Sequence, residues 1–169
     1  MEPWTPGLDV AVPEIDEAHH RIDDMVLVAL EAVELDSVPA VEAALGAIME
    51  EAQGHFTAEE ELMKVSAFRG AAAHKDAHRT YLKDFERARA EFTSSKISPM
   101  FKLWFSSRLA PWLRLHVRGL DSQFARHYRS WLESQAKAAE AKLVAEAKAG
   151  QEADKAKAGE STPPASHES

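Results

Sequence analysis

His55-Phe56-Thr57-Ala58-Glu59-Glu60 sets an imidazole and a carboxylate four residues apart, on an apolar stripe that runs through Val41, Leu45, Ile48 and Ala52 and continues to Leu62. Residues four apart on an α-helix are displaced by only about 40° around its axis, so His55 and Glu59 share the face the stripe turns inward. A helix with such a seam has to pack against others. Its inward face carries two cation-binding groups.

The same period recurs on both sides of this segment. Upstream, Ile15, Ile22, Val26, Ala29 and Val33 form a stripe with His19 on it; downstream, one stripe runs through Ala71, His74, His78, Leu82, Phe85 and Phe92, and another through Phe101, Phe105, Leu109, Trp112, His116 and Leu120. Ser37 shortly before Pro39 opens the second helix, Ser98 followed by Pro99 opens the fourth, and Ser66 to Gly70 reads as a loop. Four helices with short connections predict an all-α, up-down-up-down bundle. His19 lies near the start of helix one, His55 and Glu59 near the end of helix two, His74 and His78 at the start of helix three, and His116 and Asp121 at the end of helix four. Antiparallel packing puts all of these at one end.

Imidazole nitrogens and carboxylate oxygens together suit iron, and a carboxylate can give one oxygen to each of two ions. The predicted metal ligands are His19, His55, Glu59, His74, His78, His116 and Asp121. With an oxo or hydroxo bridge they leave one coordination position open around two six-coordinate ions, where a small ligand such as O2 fits. Phe56, Met63 and Trp112 are the apolar side chains placed to line that pocket, although Phe56, Trp112 and Phe105 serve first as core packing. His116 and Asp121 are five apart, nearly 140° on an α-helix, so a flanking approach or a distorted helix end near Gly119 is needed to bring them together.

A chain of 169 residues with 45% hydrophobic content fits one core. No apolar run reaches the roughly 20 residues of a membrane span. The first ten residues lack a signal peptide's basic start and apolar middle, which favours the cytoplasm. A net charge of -8 without a basic face argues against nucleic acid. The absence of cysteine excludes disulfides, iron–sulfur clusters and thiolate zinc sites. No feature names a protein partner. Residues 1–133 are expected to form the bundle. Residues 134–169 read as an Ala/Lys/Glu-rich tail, partly helical and then disordered from Gly159.

The strings Ile15-Asp16-Glu17-Ala18-His19, His55 to Glu60, His74-Lys75-Asp76-Ala77-His78 and Trp112 to Asp121 resemble the four signature segments of the hemerythrin family, bacterial members especially, and Trp4 matches as well. The resemblance spans about residues 4 to 131. It implies two irons with an oxo or hydroxo bridge: His74, His78 and His116 on the saturated ion, His19 and His55 on the ion with the vacancy, Glu59 and Asp121 bridging. It also implies reversible O2 binding for carriage, storage or sensing, by a binding protein rather than an enzyme. Two departures stand out. Pro111, five residues before His116, is expected to kink the fourth helix or break its hydrogen-bond ladder. Ala67-Phe68-Arg69-Gly70 replaces the aromatic-proline turn frequent in bacterial members.

A lone histidine on an apolar seam is more often a hydrogen-bonded core residue than a ligand, but seven such coincidences at one end of a bundle are not. A ferritin-like carboxylate site needs two Glu-x-x-His pairs, and Glu17/His20 supplies one. A zinc hydrolase needs a general base and a cleft that the sequence does not reveal. His20, His127 and His167 are expected to be solvated. Glu60 and Glu61 belong by spacing to an exposed acidic face, with a role beside the ligands as the alternative. The rival functions are a di-iron oxidoreductase that consumes O2, peroxide or nitric oxide, and a redox signalling module.

Overall fold

The computed structural model describes residues 4–160. Three long helices come first: α1 (Pro13–Glu34), α2 (Val38–Val65) and α3 (Ala71–Ser95). The fourth arm is built from α4 (Pro99–Trp104), α5 (Ala110–His116) and α6 (Ser122–Glu160), joined by two stretches of π-helix, Phe105–Leu109 and Val117–Asp121. No strand occurs among the described residues. The chain divides into two compact units, the break falling between Arg129 and Ser130.

In the first unit α1 packs on α2 and on α5, α2 on α3, and α3 on α4, which is the closed all-α, four-helix arrangement expected. Local chemistry fixes the ends. Pro13 opens α1, and the Asp16 carboxylate reaches back to the backbone N–H of Val10 at 2.7 Å and of Val12 at 3.2 Å, donors that no helical carbonyl can satisfy. Ser98 caps α4, its hydroxyl accepting from Phe101 N–H at 3.1 Å with Pro99 in the first turn. Ser37 precedes α2 as expected, though its side chain makes no capping bond. The turn after α2 passes through Ala67 at φ 53°, and Gly70 follows where a Cβ would come within 2.6 Å of the Phe68 ring.

Pro111 does not break the fourth arm. The widened turn at Phe105–Leu109 lies directly before it, and the Ser106 and Ser107 hydroxyls donate to the carbonyls of Lys102 and Leu103 at 2.9 and 2.5 Å. The ladder is loosened rather than lost, and α5 continues through Pro111 at its start. The core away from the histidines is aromatic and aliphatic: Phe85, Phe101, Phe105, Ile22, Leu45 and Ile48 are almost wholly buried, each worth roughly 1.5–3 kcal/mol against exposure.

The second unit is helical to Glu160, beyond Gly159 where the sequence suggested an end, and its described side chains from Leu132 onward are exposed. The remainder of the expected disordered tail, 161–169, lies outside the described residues, as does His167. No helix among the described residues is long and apolar enough to cross a membrane.

Candidate metal centre

Each of the four arms delivers inward polar residues to the same end of the bundle. His19, His55, Glu59, His74, His78, His116 and Asp121 are all buried. They form two groups whose ligating atoms lie within 4.8 Å of one another: Glu59, His74, His78, His116 and Asp121 in one, His19, His55 and Asp121 in the other. Asp121 belongs to both.

The distortion that brings Asp121 round is the π-helix at Val117–Asp121. Its hydrogen bonds join residues five apart, so residues at that spacing return to one face instead of diverging by 140°. The wide turn is closed at Ser122, whose N–H and hydroxyl both reach the Val117 carbonyl, the hydroxyl at 2.7 Å. His116 Nε2 thereby comes 3.0 Å from Asp121 Oδ1.

Asp121 faces the two groups with different oxygens. Oδ1 lies 2.9 Å from His74 Nε2, and Oδ2 lies 3.1 Å from His19 Nε2. On the other flank, Glu59 Oε2 lies 3.3 Å from Nε2 of both His74 and His78. The Nε2 atoms of His74 and His78 are 2.9 and 3.1 Å from that of His116. One shared proton cannot pair three nitrogens that point at one place.

Despite these short approaches, both oxygens of Glu59, both of Asp121, both nitrogens of His19 and Nε2 of His55 have no hydrogen-bond partner in good geometry. Leaving so many buried polar atoms unpaired is costly unless something else satisfies them. The spacing says what fits. Two ligands at right angles around an ion bonded at about 2.1 Å lie about 3 Å apart, and the approaches here run from 2.9 to 3.3 Å. The donor set suits one or two cations that accept nitrogen and oxygen together.

Charge within the cluster is unevenly shared. Burial resists ionisation of Asp121, but the imidazoles of His116, His19 and His74 around it hold the carboxyl well below its ordinary range. Burial also opposes a charge on His74, yet Asp121 and Glu59 outweigh it and push the imidazole up to about 9. His55 goes the other way: burial, then the neighbouring His19, lower it to about 4. Burial lowers His116 as well.

Comparison with known proteins agrees with this geometry. The family model for the hemerythrin HHE cation binding domain matches residues 10–147. The chain belongs to the hemerythrin family. The bacteriohemerythrin of Stenotrophomonas maltophilia (strain R551-3) is 29% identical over 134 residues, 76% of this chain and 82% of the relative. That of Pseudomonas paraeruginosa (strain DSM 24068 / PA7) is 25% identical over 122 residues, 72% of this chain and 77% of the relative.

Aromatic rings surround this hemerythrin site unevenly. Phe56 stacks flat on His78, with centroids 4.0 Å apart and planes at 9°, and Trp112 stacks on His116 at 4.4 Å and 18°. Both therefore lie against the five-residue group. Met63 is fully buried. Beside the three-residue group a cavity of about 290 Å³ opens between α1 and α2, where Ala18, Gly54 and Ala58 give way to His55 and Glu59.

Three features correct the sequence reading. Glu60 is not simply on a solvated face: its Oε1 is 3.2 Å from His78 Nδ1 and its Oε2 is 3.2 Å from Lys75 Nζ. Glu61 is exposed, as expected. His127 is partly buried, with Nε2 2.8 Å from the Ser66 carbonyl and its ring against Phe68. His20 is exposed as expected and rests on Asp9 at 2.9 Å, with Trp4 donating to the same carboxylate. The third feature is a buried ion pair that the reading missed: Asp23 on α1 accepts from Arg114 on α5 through both oxygens, at 2.9 and 2.7 Å. Its signal was present, since Asp23 is four residues after His19 on the inward face of α1.

Proposed function

We propose that this chain binds O2 reversibly at a non-haem di-iron centre with an oxo or hydroxo bridge, for oxygen carriage, storage or sensing, as a binding protein rather than an enzyme. The observation that carries the reading is Asp121, which turns one oxygen to the five-residue group and the other to His19. A carboxylate so placed suits two ions side by side. On this reading Glu59, His74, His78, His116 and Asp121 would hold one iron and His19, His55 and Asp121 the other, and the family resemblance would give Glu59 a share in both. When bound, the irons supply the redox chemistry that takes up O2 and releases it.

The protein's own part is to hold, cover and admit. The smaller group has fewer side chains to fill a coordination shell, and its His55 lines the cavity between α1 and α2, the side from which a small molecule would approach. Phe56 and Trp112 cover the opposite group and limit entry of bulk water there, and Met63, fully buried, is proposed to add to that apolar cover. The bacteriohemerythrin relatives support oxygen as the ligand. On this reading O2 is the partner, and the cytoplasm is the proposed location.

The test is metal content per chain after anaerobic loading with iron, with the visible spectrum recorded before air, in air and after oxygen is removed. Two irons and an absorption that comes and goes with oxygen are expected. Zero or one iron per chain refutes the centre. Two irons with sustained consumption of oxygen in the presence of a reductant refutes reversible binding in favour of an oxidoreductase.

A further inference from the structure

We propose that Glu60 is a positioning residue for this centre: its carboxylate holds His78 with the proton on Nδ1 and the Nε2 lone pair turned inward, and Lys75 sets how strongly it does so. The inference rests on the reading of the buried cluster as a metal centre.

Glu59 and Glu60 are consecutive, and a helix turns about 100° per residue. One carboxylate therefore points into the cluster while the next points along the α2–α3 seam toward His78. Glu60 is 29% exposed, so its charge carries little burial cost, whereas His78 is almost wholly buried. A carboxylate only accepts, so at 3.2 Å from Glu60 Oε1 the His78 Nδ1 carries the hydrogen and donates it. Nε2 is then a bare lone pair, 3.3 Å from Glu59 Oε2 and 3.1 Å from His116 Nε2, at the centre of the five-residue group.

Phe56, one helical turn before Glu60, fixes the plane of the same ring by stacking. Plane and tautomer are thus both set from α2. Nδ1 of His19 and of His74, by contrast, has no hydrogen-bond partner among the described residues. A histidine whose outer N–H meets a carboxylate is a stronger ligand than one whose outer N–H meets nothing. Lys75 Nζ, 3.2 Å from Glu60 Oε2, draws carboxylate charge away from His78 and weakens that effect. Glu60 and Lys75 should therefore pull the centre in opposite directions, which no merely structural pair on a surface would do.

The experiment uses the full chain with Glu60→Ala, Glu60→Gln and Lys75→Met. Cobalt(II) affinity is measured by competition, imidazole nitrogen NMR is recorded on zinc-loaded protein, and the reduction potential is measured on iron-loaded protein. Glu60→Ala should weaken cobalt(II) binding on the order of 10–100-fold, with loss of the hydrogen-bonded Nδ1–H signal of His78. Glu60→Gln should fall between it and the wild type. Lys75→Met should tighten cobalt(II) binding and lower the reduction potential, whereas both Glu60 variants raise it. Unchanged affinity and an unchanged His78 signal in Glu60→Ala overturn the proposal, as do shifts of the same sign from Glu60 and Lys75. If the wild type itself takes up no cobalt(II), the metal-centre reading fails and this inference fails with it; normal wild-type loading with an indifferent Glu60→Ala sinks this inference alone.

Discussion

Replacing Arg114 with methionine should destabilise the metal-free bundle more than any exposed charge substitution. Asp23 is 1% exposed and Arg114 15%, and the two make a bidentate contact at 2.9 and 2.7 Å between α1 and α5. Methionine keeps much of the arginine stem's volume but leaves the Asp23 carboxylate buried without its guanidinium, a change that typically costs about 3–5 kcal/mol. At roughly 3–5 °C per kcal/mol for a bundle of this size, the midpoint should fall on the order of 10–20 °C. Asp23→Leu should cost less, because the less buried Arg114 can turn its head toward water. The double variant Asp23→Leu/Arg114→Met should recover most of the loss, since it buries neither charge. The assay is thermal and urea unfolding of metal-free protein followed by far-UV circular dichroism, because bound metal would add its own linked stabilisation. A single-variant cost below about 1 kcal/mol, or a double variant no better than the worse single, would refute the reasoning: the pair would then behave like a surface ion pair.

Other expectations concern the cluster and the turn after α2. Asp121→Ala should reduce bound iron from two per chain toward none, because it removes an oxygen from each group; retention of two irons, measured by elemental analysis, would sink the shared-ligand assignment. His74, pushed up to about 9 in the metal-free protein, is protonated at neutral pH, so metal uptake in weak buffer should release a proton, read as acidification. The stability that this raised value supplies is complete below the ordinary histidine value of 6.5 and fades as pH rises through 9, whereas that of His55, lowered to about 4, is complete above 6.5 and fades as pH falls toward 4. The two together predict that metal-free protein unfolds at its highest temperature near pH 6.5, and a midpoint still rising at pH 9 would contradict this. Gly70→Ala should lower the midpoint by the equivalent of about 1–3 kcal/mol, because the new methyl meets the Phe68 ring, which packs on Phe124 and His127; an unchanged urea midpoint would show that Phe68 moves aside at no cost.

The helices and the gathering of the seven side chains were legible because both rest on one period. His55 with Glu59 and His74 with His78 obey the α-helical spacing, and short connections force their ends together. What was not legible lies where that period fails or where a group is outside it. The five-residue step from His116 to Asp121 conflicts with α geometry, and nothing in the letters says which side of the conflict yields; in the fold the backbone yields, by a π turn. The same device absorbs Pro111 one stretch earlier. Glu60 was read as surface because spacing tells where a residue leaves its helix and not what it meets across the seam. His127 was assigned to solvent although the loop that ends α2 folds back to give it the Ser66 carbonyl, a contact between residues 61 apart in sequence.

The π turn at Val117–Asp121 acts on the chain like a vernier. An α-helix can aim a side chain only in steps of about 100°, and every residue beyond is turned with it. One supernumerary residue, absorbed within a single loop of backbone, lets Asp121 be aimed on its own while Phe124 and Ala125 keep their places in the core. Length, not composition, is then the adjustable quantity here: removing one residue between His116 and Asp121 should leave a bundle that still folds, yet with its shared carboxylate pointed elsewhere. Divergence within such a fold can thus retune or abolish the centre by a single codon gained or lost, with every one of the seven side chains still spelled out in the sequence.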